Sequence, residues 1–139
     1  FHPSGGLGSK LMTVGDLMLT KDKIPFIDEN SNMKKALKII TQKNLGTLVV
    51  INTKGLTVGL ITDGQIRRAT LEASDLHYIK VKNLMTKNPI TVSEEILALK
   101  ALSIMNENKI TSLCVNNFTN KNKTIGIIHI HNILETTAN

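Results

Sequence analysis

Val14-Gly15-Asp16-Leu17-Met18 returns later in the chain as Val81-Lys82-Asn83-Leu84-Met85, and the segments downstream of the two copies correspond in order. The first copy continues with Pro25-Phe26-Ile27, a helical pattern, Thr47-Leu48-Val49-Val50-Ile51 and Gly59-Leu60-Ile61-Thr62. The second continues with Pro89-Ile90-Thr91-Val92, another helical pattern, Ser112-Leu113-Cys114-Val115 and Gly126-Ile127-Ile128-His129. The offset is 81 − 14 = 67 at the start and 126 − 59 = 67 at the end. Repetition of this kind constrains the architecture before any single motif is weighed. Two related halves packed together leave clefts along their seam, and a ligand is expected there.

Each copy carries the periodicities of an α/β unit. Residues 33 to 43 place Met33, Ala36, Leu37 and Ile40 on one face of an amphipathic helix, with Ser31 as its expected N-cap. In the second copy Leu97, Ala98, Ala101, Leu102 and Met105 form the corresponding stripe, with Ser93 as the expected cap and Glu94 and Glu95 favouring the positive helix end. Both stripes read as core. Each helix precedes two β-rich runs: Thr47 to Ile51 and Val58 to Ile61 around a turn at Asn52 to Gly55, then Ser112 to Val115 and Thr124 to Ile128 around an expected loop at Asn116 to Lys123. Last helices are predicted from about Thr62 and about His131. With short strands at Phe26-Ile27 and Ile90-Val92, each half reads β-α-β-β-α.

Composition narrows the function classes. Halves of roughly 60 to 70 residues bury too little surface to be comfortable alone, so a shared core is expected. Aromatic residues make up 3% of the chain, so Ile, Leu, Val, Met and Ala must build the core. Stacking on a flat ligand could use only Phe1, Phe26, Tyr78, Phe118 and the four His. The single Cys114 has no internal disulfide partner and sits in an apolar run, where it reads as an inert thiol. That fits a reducing, cytoplasmic compartment. No apolar run approaches the ~20 residues needed to span a bilayer, and no secretory signal is expected. The net charge of +6 comes from lysines scattered over helix faces and loops, such as Lys34, Lys35, Lys38, Lys43, Lys80 and Lys82. There is no Arg-rich stripe interleaved with aromatics, so a nucleic-acid partner is not expected.

A duplicated unit opened by V-x-x-L-M, with G-hydrophobic-hydrophobic-T leading into its last helix, resembles the CBS domain pair, or Bateman module, over roughly residues 14 to 137. The resemblance implies a tandem pair with pseudo-twofold symmetry: an arm or linker at 1–13, a first repeat at 14–75 and a second at 76–139. Three segments, His2-Pro3-Ser4-Gly5-Gly6-Leu7-Gly8, Gly59 to Arg68 and Lys109-Ile110-Thr111-Ser112, are similar to D-arabinose 5-phosphate isomerases. In that family a sugar isomerase (SIS) domain precedes the CBS pair. Its members interconvert D-ribulose 5-phosphate and D-arabinose 5-phosphate on the way to Kdo, for lipopolysaccharide or capsule. The resemblance therefore implies a non-catalytic regulatory module whose enzyme domain lies upstream of Phe1. It also implies pairing through the CBS helices into a homodimer or higher homo-oligomer. His2 matches the family's H-P-G-G histidine and stands either as a contributor to the isomerase site or as a terminal residue with no role here; Ser4 departs from the usual Gly.

In many CBS pairs the Asp of T-x-x-D accepts hydrogen bonds from ribose hydroxyls and the Thr contacts phosphate, chemistry that suits an acceptor-only carboxylate and a helix N-terminus. This chain keeps Thr62, followed by Asp63, but has Gln65 in the Asp position, and it has His129 and Asn132 in the second copy. Both ribose-reading carboxylates are missing, which weakens a purely adenosine-type effector. Gln65 has two readings: a ligand contact, or the second half of a Thr62–Gln65 capping box. Arg67 and Arg68, read as opening the same helix, either face solvent or meet an anion, since cations there oppose the dipole. His129 and His131 are expected on one face of a strand end, either lining the cleft or supplying two ligands to a metal, although a structural site wants more. No cofactor is firmly implied; a nucleotide or CMP-sugar is the candidate effector.

Overall fold

The computed structural model describes residues 11–43, 45–72 and 75–137. The opening arm, His2 included, lies outside them, apart from Leu11, Met12 and Thr13. The described chain forms six α-helices and seven strands: α1 (Val14–Leu17), β1 (Phe26–Asp28), α2 (Met33–Lys43), β2 (Thr47–Ile51), β3 (Thr57–Thr62), α3 (Asp63–Glu72), α4 (Val81–Leu84), β4 (Thr86–Lys87), β5 (Thr91–Ser93), α5 (Ala98–Asn108), β6 (Ser112–Asn117), β7 (Asn120–His129) and α6 (Ile130–Thr137). Each copy keeps its expected β-α-β-β-α order.

The chain divides into two compact units, 22–89 and the combination of 1–21 with 90–139. These differ from the sequence repeats by one exchange: the opening turn of each copy belongs to the unit built by the other. In the first unit β1 pairs in parallel with β2, and β2, β3 and β4 continue antiparallel. Met33, Ala36 and Ile40 of α2 pack with Ile27, Leu48, Val50, Ile61 and Ala69, and with Val81 from the second copy's opening turn. That turn is held by its backbone, Val81 N–H donating to Ser31 O at 2.8 Å and Lys82 N–H to Glu29 O at 3.0 Å.

The other unit repeats the arrangement. β5 is parallel to β6, and β6 is antiparallel to β7. Val14 of the first copy's turn is buried among Val92, Ala98, Ala101, Met105, Leu113, Val115, Ile128 and Ile133. Its N–H donates to Ile96 O at 2.9 Å, and Gly15 N–H donates to Glu94 O at 2.8 Å. Leu19 makes an antiparallel bridge with Ile127, the counterpart here of the β3–β4 pairing in the first unit.

The repeated glycines explain why the two motifs travel together. A side-chain carbon on Gly59 would meet Met85 Sδ and Thr86 O, each at 2.7 Å, and one on Gly126 would collide with Met18 and lie 3.1 Å from Leu19 O. The Met of V-x-x-L-M thus seats directly on the Gly of G-hydrophobic-hydrophobic.

Several local expectations are corrected. The cap of α2 is Asn32 rather than Ser31, its Oδ1 accepting from Lys35 N–H at 3.1 Å. Ser31 lies one residue too early, and its carbonyl is taken by Val81. Ser93 belongs to β5, and its Oγ accepts from Glu95 N–H in the following turn. The start of α5 is instead satisfied by Met12 O, which accepts from Ala98 N–H at 2.8 Å. Leu97 precedes that helix and is 48% exposed, so it leaves the expected stripe. The segment 116–123 is mostly hairpin rather than loop. Asn117 pairs with Asn120, and Asn117 Oδ1 accepts from the N–H and hydroxyl of Thr119, an Asx turn that lets β6 and β7 run on. The first hairpin turns at Asn52 to Gly55 as expected, with Gly55 at φ +79°.

Overpacking at a glycine typically costs ~1–3 kcal/mol. Gly126→Ala and Gly59→Ala should each lower the unfolding free energy read from urea titration by an amount in that range, and the midpoint with it, whereas Gly55→Ser, in open space, should cost only its backbone strain. Wild-type midpoints for both interior variants would disprove the contact.

Candidate functional site

The last helix of each copy begins where a strand ends, and the candidate ligand residues cluster there. In the first unit, Asp63 N–H donates to Gly46 O at 3.0 Å. Thr62 N–H donates to Gln65 Oε1 at 2.9 Å, and Gln65 N–H donates to Thr62 Oγ1 at 3.4 Å. This is the reciprocal capping box. The remaining Gln65 donors go to Leu84 O at 3.4 Å and to Thr86 Oγ1. Gln65 is therefore committed to tying α3 to the second copy's opening turn and β4.

Asp63 is exposed on the first turn of α3. Arg67 and Arg68 are also exposed, but α3 starts at Asp63, so they sit in its second turn rather than opening it. The dipole effect fades beyond the first turn, and their placement no longer signals an anion by itself. Among the described residues neither makes an ion pair.

The second unit builds the same junction from different groups. Ile130 N–H donates to Thr111 O at 2.8 Å. His129 N–H donates to Asn132 Oδ1 at 2.8 Å, which reproduces half of the first copy's box. The other half is changed: His131 N–H donates to His129 Nδ1 at 3.1 Å. The two rings stack with centroids 4.8 Å apart and planes 27° apart. They share a face, as expected, but His131 belongs to α6 and not to the strand. A helix cap, rather than strand alternation, brings them together. Among the described residues no group of three His, Cys, Asp or Glu side chains could hold a metal.

Two further residues carry information that the sequence did not single out. Thr47 at the start of β2 is buried, and its hydroxyl donates to Ile61 O at 3.2 Å. Its counterpart Ser112, opposite His129 in the β6–β7 register, is 7% exposed and its Oγ has no hydrogen-bond partner among the described residues. Only the pairing register reveals it. Cys114 is buried and its thiol is pushed up to about 11 by that burial, partly offset by a hydrogen bond with Thr124, so it is a poor nucleophile.

The chain matches the CBS domain family over residues 14–72 and 81–139, and it belongs to that family as a tandem CBS pair. It is 35% identical over 134 residues to the arabinose 5-phosphate isomerase KdsD of Escherichia coli strain K12, a match covering 96% of this chain and 40% of that protein. The chain thus spans about 40% of the length of the curated relatives it matches. Among solved structures it resembles CBSX2 in complex with AMP, with a TM-score of 0.75 at 24% identity, covering 89% of this chain and 94% of that one. A CBS domain pair in complex with 5′-methylthioadenosine and S-adenosyl-L-methionine gives a TM-score of 0.78 at 22% identity, with coverage of 89% and 94%. No described helix is long and apolar enough to cross a membrane.

Burial, and then the neighbouring His131, hold the His129 imidazole below its ordinary value of 6.5. A base with its folded value lowered contributes stability that is complete above the unfolded value. That stability is lost as pH falls through 6.5, because the unfolded chain binds the proton first. The urea midpoint of wild type should therefore fall from about pH 7.5 to about pH 5.5 by more than that of His129→Gln. Parallel profiles for the two proteins would contradict this.

Proposed function

We propose that the chain is the non-catalytic regulatory and oligomerisation module of an arabinose 5-phosphate isomerase-like enzyme of Kdo synthesis, acting in the cytoplasm. The observation that carries the reading is the 35% identity to KdsD across 96% of this chain, by a segment that is itself a CBS pair. On this reading an upstream sugar isomerase domain performs the aldose–ketose conversion. The CBS pair joins subunits through its helices and reports effector occupancy to that domain. Such coupling needs an effector that binds two arrangements of the module with different affinity.

The candidate effector is a nucleotide, CMP-sugar or sugar phosphate, held near Thr62, Asp63, Arg67 and Arg68 in one copy and near His129, His131 and Asn132 in the other. The AMP- and S-adenosyl-L-methionine-bound neighbours are the reason to test nucleotides first. A second reading, a structural dimerisation module without ligand, is favoured by one observation: Gln65 spends its whole amide on the fold.

Thermal unfolding with AMP, ATP, CMP-Kdo and arabinose 5-phosphate separates the two. A true effector at 100 times its dissociation constant should add ~2.7 kcal/mol. Silence across the panel, with unchanged oligomeric state, would overturn the effector reading and leave the structural one. A third reading gives His2 to the isomerase site; unchanged turnover of full-length His2→Ala would remove it.

A further inference from the structure

Of the five methionines, Met33 and Met105 are fully buried, whereas Met12, Met18 and Met85 are partly exposed. The last two are the ones seated on glycines. A thioether within reach of solvent reacts with peroxides, and the sulfoxide it becomes is polar and bulkier at sulfur. The consequence depends on what each methionine holds in place, and in this respect the two copies differ.

Met85 follows α4 and precedes β4. Its N–H donates to Val81 O at 3.0 Å, and a Cβ on Gly59 would fall 2.7 Å from its Sδ and 2.9 Å from its Cγ. Both of its chain neighbours are bonded by one side chain: Gln65 Nε2 donates to Leu84 O at 3.4 Å and to Thr86 Oγ1. The other end of that amide, Oε1, accepts from Thr62 N–H at 2.9 Å and so caps α3. Within the unit 22–89, contacts therefore run from a partly exposed sulfur, through Gln65, to the first turn of α3. Thr86 O borders the same seat, 2.7 Å from that Cβ position. A sulfoxide oxygen is an acceptor too, so it is better placed in water than against this carbonyl.

In the other unit Met18 meets Gly126 in the same way, but no side chain locks its neighbours. Leu19 is held by backbone alone, its N–H donating to Ile127 O at 2.8 Å and its O accepting from Ile127 N–H at 2.9 Å. Asn132 makes no bond to Leu17 or Leu19 among the described residues.

We propose that Met85 is a redox-sensitive latch on the head of α3: its oxidation to the sulfoxide by a peroxide lifts it from Gly59, parts Leu84 and Thr86 from Gln65 and uncaps Thr62. With hydrogen peroxide as oxidant, a sulfur lone pair forms the new S–O bond as the O–O bond breaks. Sulfur gives two electrons to the peroxide, whose other oxygen leaves as water carrying both protons. The freed Gln65 amide then stands beside Thr62 with its donors and acceptor open, so a helix start that is closed in the reduced protein opens in the oxidised one. The device acts whether or not the module binds an effector. Oxidation of Met18 loosens its own turn without reaching α6.

The test treats the 139-residue chain with hydrogen peroxide, assigns the oxidised methionines by peptide mass mapping and follows amide exchange by NMR. In protein carrying Met85 sulfoxide, exchange at the Thr62 amide should rise roughly tenfold, the equivalent of one lost hydrogen bond. The Gln65 side-chain amide resonances should move with it, and methionine sulfoxide reductases should restore both. Met85→Leu conserves volume without the thioether, so it should fold and keep Thr62 protected after treatment. Met18→Leu should respond at Thr62 as wild type does. Met85→Gln, which puts a polar amide on the seat, should exchange like the oxidised protein with no oxidant present. The proposal is overturned if Met85 stays reduced while Met12 and Met18 oxidise, or if Met85 sulfoxide leaves exchange at Thr62 unchanged. Loss of Thr62 protection in peroxide-treated Met85→Leu, equal to that in wild type, overturns it as well.

Discussion

A methionine seated on a glycine, once in each unit, fixes the opening turn of one copy onto a strand of the other. Met85 lies on Gly59 and Met18 lies on Gly126, close enough that any side chain at either glycine would have to displace sulfur or backbone. Each methionine comes from the opening turn of one copy and each glycine from a strand of the other. Neither copy can therefore complete its core from its own residues. Val81 fills the cluster around Met33 and Leu48, and Val14 fills the one around Met105 and Leu113. The duplication is a mutual dependence written into two short motifs.

The same exchange shapes the candidate sites. Because the second copy's turn and β4 run beside the start of α3, Gln65 has Leu84 O and Thr86 within reach and is used to lock them. The first copy's turn runs beside β7 through Leu19, and the shorter Asn132 makes no corresponding bond to it among the described residues. One copy has thus turned its polar groups to holding the fold together, while the other keeps Ser112, the imidazoles and an amide available. This asymmetry comes from side-chain length and from a Thr-to-Ser change at the head of a strand, with no change of backbone plan.

The fold was legible because the repeat, the 3.6-residue stripes and the β-branched runs are all local signals. Residues 33–43 form α2 as the stripe of Met33, Ala36 and Ile40 implies. Helix caps were harder: Ser31 and Ser93 have the right chemistry, yet Asn32 and Met12 O take the roles because the exchanged turns decide where each helix starts. Such long-range contacts leave no local trace. The candidate site was half legible. The capping role of Gln65 can be read from its spacing to Thr62, but the His129–His131 stack depends on a helix beginning at Ile130. Ser112 gains meaning only from its register against His129.

Hydrogen exchange on Met18→Ala tests the exchange of turns most directly. Met18 belongs in sequence to the first copy but packs on the unit formed by residues 90–139, so truncation should open that unit's weakest protected amides first. The largest loss of protection should fall in β5, β6 and β7. A loss concentrated in β1, β2 and β3 would contradict it.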